Sequence, residues 1–284
     1  MIAVTAPAQM TSSQFTFEPP DLREIELEVV DGEIVVMRIN RPDRMNSQTV
    51  RMFIEHGIVA RSLRDSHARA LIITGSGERA FCAGFDLDEV DVITRMGVRD
   101  FLKFQEAATG GLAAINALPF PVIAAIHGPA TGGGFALALA SDIRLAAPSA
   151  KFSAAFVRVG LSVGELGTSW QLTRLVGPGR AAEIAFTGRV VEAEEAARIG
   201  LVNRIVPADD LLDEALAMAR LISSNSPAGV TMSKRALQCN QQIGSYASAL
   251  ELENRGQALL TRGSDMPEAL AAFKEHRAPR FTGG

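Results

Sequence analysis

Cysteine, histidine, tryptophan and tyrosine are scarce in this chain of 284 residues, with two Cys, four His, one Trp and one Tyr. Cys82 and Cys239 lie far apart, and neither belongs to a CxxC or Cys/His grouping, which argues against zinc or dithiol redox chemistry and fits a reducing compartment. No long Lys/Arg block occurs and the formal net charge is −4, so the electrostatic footprint of a nucleic-acid or anionic-membrane binder is missing. No run of about 18 apolar residues is present to span a bilayer. The first twenty residues lack a basic stretch followed by an apolar core, so a secretory signal is not expected and a cytoplasmic location is. What is there is ordinary globular material: 47% hydrophobic and 21% charged residues, enough for a sizeable core.

Patterned sequence begins after Pro19 and Pro20, and residues 1–22 read as a flexible leader. Residues 24–30 and 33–39 are rich in β-branched side chains on either side of Asp31-Gly32, a strong hairpin signal. Helical periodicity follows over residues 48–63, with Ser47 as candidate cap, and then a strand over 70–74. The alternation continues with a helix at 101–118, a strand at 121–126, a helix at 132–140 and a strand at 143–146, which predicts an α/β stack of right-handed units. Beyond about residue 178 strand signals nearly vanish and six helical segments remain, near 180–186, 193–198, 211–223, 230–241, 246–260 and 267–274. The expected organisation is a leader, an α/β core over 23–205 and a helical C-terminal segment over 206–284.

Two glycine-bearing segments stand where a strand gives way to a helix: AFCAGFDL at residues 80–87 and HGPATGGGF at 127–135. Small residues there let a ligand approach the backbone, and free N–H groups favour an anion. Two such groups converging on one oxygen would form an oxyanion hole; tight helix packing at 132–134 and a buried turn at 81–85 are the structural alternatives. The Lys-Ser/Thr of a P-loop is absent, as is a GxGxxG with its acidic partner in the first β-α turn, so nucleotide cradles of those kinds are not expected.

Taken together, these segments resemble the signature regions of the crotonase, or enoyl-CoA hydratase/isomerase, superfamily. The resemblance begins at INRPDRMNS (39–47), passes through both glycine segments and residues 160–177, and resumes at TGR (187–189), AEEAARIGLVN (193–203) and NSP (225–227). It implies a crotonase-type core of repeated ββα turns in a spiral, with the C-terminal helices serving trimerisation. The substrate implied is an acyl group carried as its coenzyme A thioester, with no further cofactor and no metal. The backbone N–H groups of Phe85 and Gly133 would hold the thioester oxygen. The CoA moiety would run past Ala83, Asp86, Leu87 and Asp88, with Arg41 and Arg44 as candidate phosphate or adenine contacts and Phe156 at the acyl site.

The chain departs from the family's two-glutamate hydratases at both catalytic positions, which hold Ala136 and Phe156. Neither side chain can carry a proton. A third family position, used by dienoyl-CoA isomerases, falls on Glu165 when counted back from Gly177, and on Gly164 when counted forward from Gly160. The backward count also aligns Gly167, Thr168 and Leu172. Glu165 is thus the expected general acid/base, with first-turn capping of the next helix as its structural alternative. His127 and Asp142 read as structural, Arg158 as a candidate partner for a nearby carboxylate, and Cys82 as a buried turn thiol. The expected activity is hydration of a 2-enoyl-CoA or double-bond isomerisation in fatty-acid-type metabolism. Hydrolysis, decarboxylation or non-catalytic acyl-CoA binding are the alternatives, and a homotrimer or dimer of trimers is the expected assembly.

Overall fold

A computed structural model describes residues 21–283. The leader expected over residues 1–22 therefore lies almost wholly outside the described residues. The chain opens with a hairpin of β1 (Ile25–Val30) and β2 (Ile34–Ile39), paired antiparallel. Asp31 and Gly32 turn it with φ of 54° and 77°, the left-handed conformation that Asp and Gly tolerate best.

Then follow α1 (Val50–Arg64), β3 (Ala70–Gly75), α2 (Val90–Arg95), α3 (Val98–Asn116), β4 (Val122–Ile126), β5 (Pro129–Thr131), α4 (Gly133–Ala140), β6 (Ile143–Ala146) and β7 (Lys151–Ser153). Next come α5 (Thr168–Val176), α6 (Pro178–Thr187), β8 (Val191–Glu192), α7 (Ala193–Arg198) and β9 (Arg204–Ile205), and finally α8 (Leu211–Ser223), α9 (Pro227–Asn240), α10 (Tyr246–Leu260) and α11 (Asp265–Lys274).

The main sheet has the order β1-β2-β3-β4-β6-β9, parallel from β2 onward, and β5, β7 and β8 make a second, small sheet. Two successive units, β4–β5–α4 and β6–β7–α5, show the expected ββα repeat, and the bridge between Cys82 and Ala130 extends it back toward β3.

Both faces of the sheet's centre are covered, which is why β3 and β4 are buried along their length and almost wholly apolar, whereas the edge strand β1 alternates with Glu26 and Glu28. Val35, Met37, Leu71, Ile73, Val122 and Ala124 pack toward α1, α3 and α4. Their neighbours Ile34, Val36, Ala70, Ile72, Ile123 and Ala125 pack with Leu211, Ala215 and Ala219 of α8. At about 1.5–3 kcal/mol for each fully buried large aliphatic side chain, these two layers dominate the favourable side of folding. The sheet's layering thus extends to α8, past residue 205, whereas α9, α10 and α11 bury only Lys234, Gly256, Asp265 and Ala272.

Two local expectations need correction. Thr49, not Ser47, caps α1, its Oγ1 accepting from Met52 N–H at 3.0 Å, because the Ser47 hydroxyl donates to Asp86 at 3.1 Å instead. The strands β5, β7, β8 and β9, of two or three residues each, and the short helix α2 were not expected. Among the described residues no helix is long and apolar enough to cross a membrane.

Candidate active site

The segment 80–86 threads between two others. Gln48 N–H donates to Gly84 C=O at 2.7 Å and Asp86 N–H to Gln48 C=O at 2.8 Å, while Cys82 N–H donates to Pro129 C=O and Thr131 N–H to Cys82 C=O, both at 3.0 Å. In a parallel bridge of this kind Gln48 takes both bonds from the residues flanking Phe85, leaving the Phe85 N–H turned to the opposite side, toward the glycine loop. Among the described residues that N–H has no backbone acceptor. Gly133 opens α4, where the first N–H groups lack intrahelical acceptors.

The two segments touch closely enough that glycine is required. At Gly84, φ is +98° and a Cβ would stand 2.7 Å from Thr131 O and 3.6 Å from Gly133 N. A Cβ on Gly134 would collide with Cys82. The segments that carry Phe85 and Gly133 thus adjoin, and among the described residues neither N–H has a backbone acceptor. Cys82 is fully buried and burial pushes its thiol up to about 12, so it is no nucleophile.

Around this cradle the expected glutamate positions are apolar. Ala136 is buried within α4, and the Phe156 ring faces the glycine loop, its Cε1 3.9 Å from where a Cβ on Gly132 would lie. Glu165 sits on the loop that enters α5. It does not cap that helix: the N-cap is Gly167, and Leu166 and Gly167 at φ of 51° and 78° swing the chain so that the Glu165 side chain points elsewhere. Glu165 Oε2 instead accepts from Gln105 Nε2 of α3 at 3.3 Å. Burial raises its carboxyl above the usual glutamate value, and the Gln105 hydrogen bond opposes this only in part. The Leu166 side chain reaches 3.6 Å from a Cβ position on Gly133, so the Glu165 loop and the cradle adjoin.

The enoyl-CoA hydratase/isomerase family model matches residues 30–284. The chain belongs to that family. A protein of Mycobacterium tuberculosis named probable enoyl-CoA hydratase is 40% identical over 260 residues, covering 88% of this chain and 90% of that one. The short-chain-enoyl-CoA hydratase of Clostridium acetobutylicum is 36% identical over 249 residues, 87% of this chain and 93% of its own. Among solved structures, an enoyl-CoA hydratase from Bacillus anthracis superposes with a TM-score of 0.87 at 33% identity, over 92% of this chain and all of that one. One from Mycobacterium smegmatis gives 0.84 at 31% identity, over 91% and 99%. The crotonase fold and an enzyme of the hydratase/isomerase type follow.

Within this family member, the residues expected to receive CoA divide into two groups. Asp86 is buried and braces the loop. It accepts from Ser47, pairs with Arg41 at 2.7 Å and Arg44 at 3.4 Å, and accepts from Asp88 N–H at 3.0 Å. Burial would raise its carboxyl, but the Arg41 and Ser47 hydrogen bonds outweigh that and hold it below the usual range. Arg41 also donates to Ser47 C=O at 2.7 Å and lies 3.5 Å from Glu24. Arg41 and Asp86 thus brace the loop along which CoA is expected to run. Arg44, paired with exposed Asp88, and Leu87, 76% exposed, stay open to a ligand beside Ala83.

Arg158 packs over Gly188 rather than pairing with Glu165. Asp142 accepts from Val122 N–H at 2.8 Å, the structural role expected of it, and pairs at 2.7 Å with buried Lys234 of α9, a partner the sequence did not reveal. His127 is half-buried, which lowers its pKa, and its Nε2 has no hydrogen-bond partner among the described residues.

Three further site features went unread in the sequence: Gln105, the carboxamide of Gln48, and an aromatic wall. Phe85 stacks on Phe53 of α1 at 6.3 Å between ring centroids, and Phe104 of α3 meets both edge-on, at 6.2 and 5.9 Å. Phe104 and Gln105 are adjacent, so one turn of α3 presents both an apolar wall and the glutamate's partner. The signal available was their position on the polar-apolar boundary of a helix already predicted.

Proposed function

We propose that the protein moves a proton on an enoyl-CoA thioester with Glu165 as its single acid/base, the enolate oxygen being held by the N–H groups of Phe85 and Gly133. The observation that carries this reading is Glu165 itself: a half-buried carboxyl of raised pKa, uncommitted to helix capping, beside a cradle whose other two candidate positions are Ala136 and Phe156. A lone carboxylate is sufficient to take a proton from one carbon of the thioester and return it to another, so double-bond migration fits best. Hydration of a 2-enoyl-CoA, with Glu165 activating the water, is favoured by the names of the relatives.

In either case no cofactor is needed beyond the coenzyme A of the substrate. Its phosphates would lie near Arg44 and the pantetheine along Ala83, Leu87 and Asp88, with Phe156 and the Phe53/Phe85/Phe104 wall around the acyl chain. We place the protein in the cytoplasm as a homotrimer or dimer of trimers, with neither nucleic acid nor membrane as partner. Turnover of crotonyl-CoA and of a 3-enoyl-CoA by wild type and Glu165→Gln tests the reading. Activity on either that falls by about 10²-fold or more in the variant, with acyl-CoA affinity retained, is expected; equal rates would remove Glu165 from the chemistry.

A further inference from the structure

Gln48 is fully buried, and neither its Oε1 nor its Nε2 has a hydrogen-bond partner among the described residues. A buried carboxamide with both ends unpaired is costly, and native proteins keep such groups where something else pairs with them. Its place in the fold says what that is. The main chain of Gln48 brackets Phe85 through the bonds to Gly84 and Asp86, and its side chain crosses over to Gly133, where a Cβ would collide with Oε1. One residue therefore touches the segments of both oxyanion donors. A half-turn about the terminal bond exchanges Nε2 and Oε1, so the carboxamide can present its N–H to the cradle without moving the rest of the side chain.

We infer that Gln48 is a third donor of the oxyanion hole, its Nε2–H hydrogen-bonding the thioester oxygen as that oxygen acquires enolate charge. This rests on the reading of the site as an acyl-CoA cradle and adds to it. The two glycine-loop N–H groups are fixed by the backbone, whereas Gln48 is a side chain and can be removed without disturbing them. Negative charge on the oxygen strengthens the bond, because charge-assisted hydrogen bonds are about twice as strong as neutral ones.

The test compares wild type with Gln48→Leu, and with the unbranched Gln48→Met should the first fail to fold. It measures the affinity for butyryl-CoA, a neutral ground-state ester, and for acetoacetyl-CoA at a pH where it is ionised and carries enolate charge on its oxygens. Thermal unfolding of the ligand-free proteins is recorded in parallel. The expected result is butyryl-CoA binding within about threefold of wild type, acetoacetyl-CoA binding weakened about tenfold or more, and an unfolding temperature unchanged or raised. A raised temperature follows from removing an unpaired buried polar group, whereas a structural carboxamide would lower it. Equal weakening of both esters together with lower stability, or no change in either, overturns the inference while leaving the acyl-CoA reading intact. Failure of wild type to bind either ester overturns both.

Discussion

If Glu165 is the acid/base proposed above, proton transfer and folding stability make opposing demands on it. Burial lifts the carboxyl above its ordinary value, which brings it nearer to the operating pH of a general base and makes the folded state hold its proton more tightly than the unfolded state does. The sign for stability follows: the charged glutamate destabilises the fold above its folded pKa, and the penalty disappears below the unfolded value near 4.5. Glu165→Gln is therefore expected to unfold at a higher temperature than wild type at neutral pH, with the difference closing on acidification. Gln105 sets the other side of the balance, since its N–H stabilises the charged carboxylate. Replacing Gln105 with Leu removes that stabilisation, so the acidic limb of the pH–rate profile moves to higher pH. On that reading Gln105 positions Glu165, and a profile that stays in place while the rate falls would mean that it only supports packing.

Between α1 and α3 the helices approach closely enough that a Cβ on Gly111 would stand 2.9 Å from Phe53 O. His56 is sealed into this contact, fully buried, edge-on to Phe53 at 6.1 Å, and with neither ring nitrogen paired among the described residues. Burial lowers its pKa from 6.5 to about 4, with Glu55 opposing. The unfolded chain takes up the proton first on acidification, so stability is fully present above 6.5 and is lost as pH falls toward 4, by up to about 3 kcal/mol. Urea unfolding of wild type and His56→Leu across that range checks this: the variant's curve should be flatter, and parallel curves would refute it.

The same pair of helices shows what the sequence makes legible. α1 and α3 span four or five turns each, so their apolar stripes repeat often enough to be recognised, and their predicted limits fall within three residues of the observed ones. β5, β7, β8 and β9 are too short for any period to register; they exist because the parallel wrapping of each unit delivers two or three residues beside a neighbour. The glycine cradle was legible because collision distances demand glycine at Gly84 and Gly134, whatever the surroundings. Gln48, Gln105 and Lys234 were not, since a polar residue on a predicted helix gains its meaning only from the element packed opposite.

For the whole molecule, the C-terminal helices α9, α10 and α11 are the longer helices that bury least. The sheet's centre is covered on both faces, yet Leu237, Tyr246, Leu259, Leu270 and Phe273 on α9, α10 and α11 are more than half exposed. A crevice of about 950 Å³ also opens between the core and these helices, lined by Trp170, Leu175, Ile222, Lys234, Leu237 and Leu260 among others. Scattered apolar residues are normal on a monomer, whereas large apolar side chains on a group of neighbouring helices are what the expected trimer would cover. The expected assembly makes a quantitative statement about this surface. Light scattering should return three or six times the chain mass, and Phe273→Asp together with Leu259→Asp should lower it. On a free surface such exchanges change stability by no more than about 0.5 kcal/mol and leave the mass alone, whereas a charge forced into an interface must be desolvated and drives the subunits apart. A wild-type protein of single-chain mass would refute the assembly and leave the apolar helices without a use, while the fold of the sheet, closed within one chain, would stand.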